Sequence, residues 1–92
     1  MGDSLLIVRQ ELRDSFVDKT GAPVFTLDDF GEDAHLLELG FDSLDLAMGL
    51  EAVALRFGKD AGDLWNNLVM RMAIEHRAPT PRTIAETLEK MG

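Results

Sequence analysis

The chain has no cysteine and no tyrosine, and it contains a single tryptophan and three prolines. Without cysteine there is no disulfide framework and no thiolate metal site. Any thiol chemistry must come from an added group. The two histidines, His35 and His76, stand far apart in the sequence, a spacing that does not suit zinc. Long apolar runs are also missing. Leu5 to Val8 is a run of four residues, whereas a membrane span needs roughly twenty and a signal sequence needs a basic stretch followed by a longer apolar one. A cytoplasmic protein without membrane insertion is expected. Catalytic signatures are absent too: there is no Cys nucleophile, no His-Glu-x-x-His and no Gly-rich phosphate cradle. Asp28-Asp29-Phe30-Gly31-Glu32 lacks the alternating ligands of a calcium loop. Neither an enzyme nor a metal protein is expected. Residues 1–92 make one small domain with a limited core.

Positive charge is missing from one long stretch. From Thr20 to Leu55 there is no Lys or Arg, but there are eight acids: Asp28, Asp29, Glu32, Asp33, Glu38, Asp42, Asp45 and Glu51. The rest of the chain is balanced, with nine acids and nine bases, so the whole net charge of −8 lies in this stretch. Nucleic-acid binding needs cations that displace counterions, so no nucleic-acid partner is expected. A negative field instead favours encounter with basic protein surfaces. A solvated acidic loop that maintains solubility is the plainer reading of the loop acids.

Apolar periodicity predicts an all-α fold, a four-helix bundle with a long first loop. Leu5, Val8, Leu12 and Phe16 share one face of a first helix over Leu5 to Val17, with Asp3 or Ser4 as its cap. Arg9, Arg13 and Asp14 fall off that face. Gly21-Ala22-Pro23 stops helical structure. The loop from Asp18 to Phe41 is unusually long for a compact domain. It is expected to anchor through Val24, Phe25, Leu27 and Phe30 and to hold a helical turn at Ala34 to Leu39. A second helix begins at Ser43 or Leu44 and ends at Phe57, with Leu46, Leu50, Val53 and Phe57 inward and Gly58 as its stop. Gly49 weakens this helix by about 1 kcal/mol relative to Ala, unless it serves close packing. A third helix starts near Asp60 or Asp63 and reaches Arg77, with Leu64, Trp65, Leu68, Val69, Met72 and Ala73 as a wide apolar face. Thr80-Pro81 then opens a fourth, to Met91, with Ile84, Leu88 and Met91 inward and Glu86 paired to Lys90.

At the loop–helix junction the sequence reads Leu36-Leu37-Glu38-Leu39-Gly40-Phe41-Asp42-Ser43-Leu44. This resembles the attachment site of acyl carrier proteins, whose Leu-Gly-x-Asp-Ser-Leu run carries 4′-phosphopantetheine on the serine. Leu39, Gly40, Asp42, Ser43 and Leu44 all match. The match extends upstream through Asp33-x-x-Leu36-x-Glu38 and downstream to Phe57-Gly58. The resemblance implies a bundle of acyl-carrier-protein type and a covalent arm on Ser43. It implies a phosphopantetheinyl transferase as the installing partner, with coenzyme A as donor. An acyl or aminoacyl ligase or transferase and downstream synthase enzymes would then use the thioester cargo, in fatty-acid or secondary-metabolite biosynthesis. A monomer is expected. The physical reading is compatible: a helix N-terminus favours a phosphate ester, and Gly40 permits the turn before it. Asp42 and Asp45 could meet basic groups of the installing enzyme. Read without the resemblance, Asp42-Ser43 is a helix cap, and the chain is a helical adaptor with no prosthetic group.

Two features depart from the family pattern. The helix after the serine is normally acidic along its exposed face. Here the matching positions are Met48, Ala54, Leu55 and Arg56, and only Asp45 and Glu51 remain acidic. Leu44, Met48, Glu51 and Leu55 share one face by spacing. Met48 and Leu55 therefore either pack against the third helix or the loop, or stand exposed as a partner-specific contact surface. The second departure is an extended third helix carrying Trp65, Met70 and Met72. Trp65 is a core residue or an interface one.

Overall fold

The computed structural model describes residues 2–91, and among these the chain forms four α-helices and no strand. They are α1 (Gly2–Ser15), α2 (Ser43–Phe57), α3 (Ala61–Glu75) and α4 (Pro81–Met91). α1 packs on α2 and α4, and α3 packs on the same two helices, so each helix has two neighbours in a four-membered ring. The core inside the ring is one cluster. Leu5, Val8 and Leu12 come from α1, Leu46, Leu50, Val53 and Ala54 from α2, Leu64 and Leu68 from α3, and Ile84, Ala85 and Leu88 from α4. No helix among the described residues is long and apolar enough to cross a membrane.

The helix ends follow from local chemistry. α1 starts earlier than its spacing suggests, so Asp3 and Ser4 lie inside its first turn rather than capping it. Asp3 there faces the positive end of the helix dipole. The helix also stops sooner, at Ser15, because residues 16–24 turn back as a small hairpin. Val17 bridges Pro23, Asp18 N donates to Ala22 O at 2.8 Å, and Val24 N donates to Phe16 O at 3.0 Å. α3 is capped by Asp60, whose Oδ1 accepts from Asp63 N at 3.0 Å. It ends at Glu75, two residues short of the expected Arg77, because His76 takes the left-handed conformation with φ 54°. Thr80 caps α4, its Oγ1 accepting from Thr83 N at 3.1 Å.

α3 buries a narrower face than its periodicity suggests. Leu64 and Leu68 are buried, and Trp65 and Met72 pack half-buried against the core. Val69 and Ala73 point outward instead, together with Met70 and Ile74. A corner helix of a four-helix ring meets only two neighbours, so a wide apolar face cannot all be covered. Glu86 pairs across the bundle: its Oε1 accepts from Arg71 Nη2 at 3.0 Å and from Arg77 Nη1 at 2.8 Å.

The long first loop is tied down at both ends of its course. Phe25, Phe30 and Phe41 form an aromatic cluster with Phe16, with ring centroids 4.4 Å apart for Phe16–Phe41 and 5.3 Å for Phe25–Phe30. Phe30 and Phe41 are buried, and Leu27 is half-buried. Val24, expected as an anchor, is 58% exposed because it closes the hairpin on its outer side. Arg9 reaches from α1 into the loop: Nε donates to Phe30 O at 2.6 Å and Nη2 to Leu27 O at 2.9 Å. On the other flank Arg82 of α4 pairs with Glu32 and Asp33. These two carboxylates hold its guanidinium above the usual arginine range, Asp33 first. Leu36 N donates to Pro79 O at 3.0 Å, joining the loop to the α3–α4 connector.

Candidate functional site: the loop–helix junction at Ser43

The junction is built from the segment before it. Leu36–Leu39 forms a single 3₁₀ turn, shorter than the expected Ala34–Leu39, with Leu36 fully buried. Gly40 ends the turn in the left-handed conformation, φ 98°, which a side chain would strain. The reversal drops Phe41 into the aromatic cluster, where it is 5% exposed. Asp42 then emerges extended, with φ −95° and ψ −175°, and caps α2. Asp45 N donates to Asp42 Oδ1 at 2.8 Å, and Asp42 N donates to Asp45 Oδ2 at 3.2 Å. This is a reciprocal capping box.

Ser43 is the first residue of α2 and is exposed. The cap at this junction is Asp42, so Ser43 is not needed for it. Among the described residues the Ser43 hydroxyl makes no hydrogen bond and so has no structural task. It stands free at the positive end of a fifteen-residue helix dipole. Its backbone is fixed on one side by buried Phe41 and on the other by buried Leu46. A hydroxyl in that position can accept a bulky phosphate ester without disturbing the core.

The remaining sequence-nominated residues spread along α2. Leu44, Met48, Glu51 and Leu55 lie on one side of the helix, within roughly 60° at about 100° per residue. That side is opposite the core stripe of Leu46, Leu50 and Val53. All four are exposed, Leu44 to 69%, Met48 to 48% and Leu55 to 82%. The structure thus decides between the two expectations for Met48 and Leu55: neither is buried against α3 or the loop. Ala54 belongs to the core at 1% exposure. Arg56 points to α1, with Nε 3.6 Å from Glu11 Oε1. Asp42, Asp45 and Glu51 have no ion-pair partner among the described residues.

Two shallow grooves flank this side of α2. One runs toward the end of α1 and is lined by Ser15, Met48, Glu51, Ala52 and Leu55. The other lies toward α3, where Trp65 faces Ala47, Leu50 and Glu51. Sequence reasoning did not find Ser15 or Arg9, because both act through contacts distant in the chain. It also missed the second apolar surface, Val69, Met70 and Ile74 on the outer side of α3, 43, 60 and 72% exposed. The spacing Met70–Ile74 was the available signal. No group of three or more His, Cys, Asp or Glu among the described residues is arranged to hold a metal ion.

Comparison with protein-family models, with curated proteins and with solved structures returned no match. The functional reading therefore rests on the junction itself.

Proposed function

We propose that this protein is a carrier protein of acyl-carrier-protein type, with Ser43 as the attachment point for 4′-phosphopantetheine. The observation that supports the reading best is the division of labour at the junction. Asp42 supplies the helix cap, and the neighbouring serine is left exposed and unbonded at the helix N-terminus. The residues fit the group: a free hydroxyl, open surroundings, and a dipole that favours a phosphate. When bound, the group supplies a thiol on which an acyl or aminoacyl unit is held as a thioester. The chain's own part is to hold the attachment atom outside the core and to present it, so no catalytic residue is assigned. The proposed partners are a phosphopantetheinyl transferase, an acyl or aminoacyl ligase or transferase, and synthase enzymes that use the cargo.

The uncovered apolar surface on α3 favours a second reading, a helical adaptor with no prosthetic group. One experiment separates the two. The protein is incubated with coenzyme A, Mg²⁺ and a broad-specificity transferase, and its intact mass is measured. One added arm on the wild type and none on Ser43→Ala is the expected result. No addition to the wild type would leave the adaptor reading, and addition to Ser43→Ala would move the site elsewhere.

A further inference from the structure

The outer side of α3 carries an apolar row in solvent. Val69, Met70, Ala73 and Ile74 are all exposed, Ile74 the most at 72%. A patch of this kind marks a contact surface when its border is polar. Its spacing says more than its area. Asp63, Asn66, Met70, Ala73 and Arg77 recur at intervals of three, four, three and four, and all five are exposed. That is the 3.5-residue seam along which two helices pack. Val69 and Ile74 flank it on either side. The seam is apolar in the middle, acidic at the Asp63 end and basic at the Arg77 end.

The seam selects its occupant. A two-fold axis brings each surface against the same surface run in reverse. With the axis between Met70 and Ala73, the Met70 of one copy lies on the Ala73 of the other. A long side chain then faces a short one, twice over. Asn66 falls opposite the second copy's Arg77, and Asp63 lies about 4.5 Å further along the helix at 1.5 Å per residue, within reach of the same guanidinium. Arg77 is paired to Glu75 and Glu86 but keeps 43% of its side chain exposed. A parallel pair would instead set Met70 on Met70 and Arg77 on Arg77. The surrounding charge allows the approach: Asp63, Glu75 and Glu86 stand against Arg71, Arg77 and Lys90, three acids and three bases. A border of one sign repels its own copy, whereas a balanced one can meet itself in reverse. The acidic stretch from Thr20 to Leu55 contributes no residue to this seam.

We propose that two copies of this chain associate through α3, antiparallel, with Met70 and Ala73 at the centre of the contact and Asp63 and Asn66 meeting Arg77 at both ends. The inference goes beyond the carrier reading and does not depend on it. It replaces the monomer expected from the sequence with a two-fold pair, and neither Ser43 nor the outward side of α2 takes part in the seam. One helix from each copy makes a small interface, so the pair is a weak and reversible one.

The test is sedimentation velocity on the unmodified protein from micromolar to millimolar concentration, in about 0.15 M salt, which screens net-charge repulsion beyond about 8 Å. The sedimentation coefficient should rise from that of a monomer toward that of a dimer. Met70→Ser with Ile74→Ser removes two exposed apolar side chains and should weaken association about ten-fold at an unchanged melting temperature. Met48→Ser with Leu55→Ser, on α2, should leave it unaltered. Orientation is read separately. The chain has no cysteine, so Asn67→Cys carries a single nitroxide label at the edge of the seam. Mixed with ¹⁵N-labelled wild type, it should broaden the His76 and Arg77 amides of the other copy most. A protein that stays monomeric at millimolar concentration would overturn the proposal. So would a dimer that Met70→Ser with Ile74→Ser does not weaken, broadening centred on Asp63 and Asn67, which marks a parallel pair, or broadening centred on α2. No arm is present in these measurements, so their failure leaves the Ser43 assignment intact, and failure to modify Ser43 leaves the dimer standing.

Discussion

Asp42 and Asp45 hold each other across the first turn of α2, each carboxylate accepting the other's backbone N–H, at 2.8 and 3.2 Å. The two acids that flank Ser43 therefore have a structural duty as well as a charge. Their substitution has to be designed to separate the two.

Asparagine makes that separation at position 42. Asp42→Asn keeps an acceptor for Asp45 N, whereas Asp42→Ala removes it and should cost about 1 kcal/mol. Thermal melts of the two variants should therefore differ, with the Asn variant close to the wild type. If Asp42 also steers a basic installing enzyme, Asp42→Asn should slow pantetheinylation of Ser43 at low salt, and the difference should fade at high salt. Equal rates at low salt would reduce Asp42 to its capping role.

Gly49 sits against α1, and a Cβ built there would lie 2.9 Å from Leu12 Cδ2 and 3.6 Å from Phe16 Cε2. Gly49→Ala should be close to neutral. It gains about 1 kcal/mol of helix propensity and loses a similar amount by displacing the Leu12 methyl. Gly49→Val cannot be absorbed this way and should lose about 1–3 kcal/mol by overpacking. Chemical denaturation of both variants checks the order. A stabilised Val variant would show that α1 and α2 are not closely apposed at this position.

Arg9 should matter to the loop more than any other exposed or half-exposed cation. Arg9→Met retains much of the stem but leaves the Phe30 carbonyl without its donor, while Leu27 O keeps the bond from Phe30 N at 3.1 Å. An unsatisfied acceptor at buried Phe30 should cost about 1–3 kcal/mol. Arg82→Gln breaks only exposed ion pairs and should cost less. Native-state hydrogen exchange should show faster opening at Phe30 and Phe41 in the Arg9 variant while the amides of α4 keep their protection.

Asp18 predicts a pH dependence confined to the hairpin. Its Oδ1 accepts from Thr20 Oγ1 at 2.6 Å, Thr20 N at 2.8 Å and Ala22 N at 3.1 Å. These bonds, led by the Thr20 hydroxyl, hold its carboxyl below the ordinary aspartate value. The support is fully present above the ordinary value and is lost as pH falls through the lowered one. The Thr20 and Ala22 amide signals should titrate together below the range of an unperturbed aspartate. Asp18→Asn should abolish that titration. Titration at the ordinary value would mean that the turn does not form as described.

The start and end of α2 were legible because their signals are local. Asp42 and Asp45 stand three residues apart as a capping box requires, and Gly58 follows Phe57 as a stop. The course of the loop was not legible. Gly21-Ala22-Pro23 announces a halt, but the hairpin depends on Asp18 reaching forward to Thr20 and Ala22. The role of Arg9 depends on a chain segment that returns about twenty residues later. On α3, Val69 and Ala73 read as core because periodicity reports a face without reporting how many neighbours will cover it. Glu86 has Lys90 one turn on, but the bundle offers it Arg71 and Arg77, and two guanidinium groups outcompete one helical neighbour. Met48 and Leu55 were open to either reading until the position of α1 and α3 fixed them in solvent.

Trp65 has an optical consequence. It is the single tryptophan of a chain without tyrosine, and it packs half-buried beside Ala47, Leu50 and Glu51. Glu51 is shared between that pocket and the groove of Met48 and Leu55. Ultraviolet emission from the unlabelled protein therefore comes from one indole, seated one side chain away from the outward side of α2. Its colour and quenching register events on that helix directly, so the chain carries its own fluorescent gauge, and no dye need be placed on the surface under study.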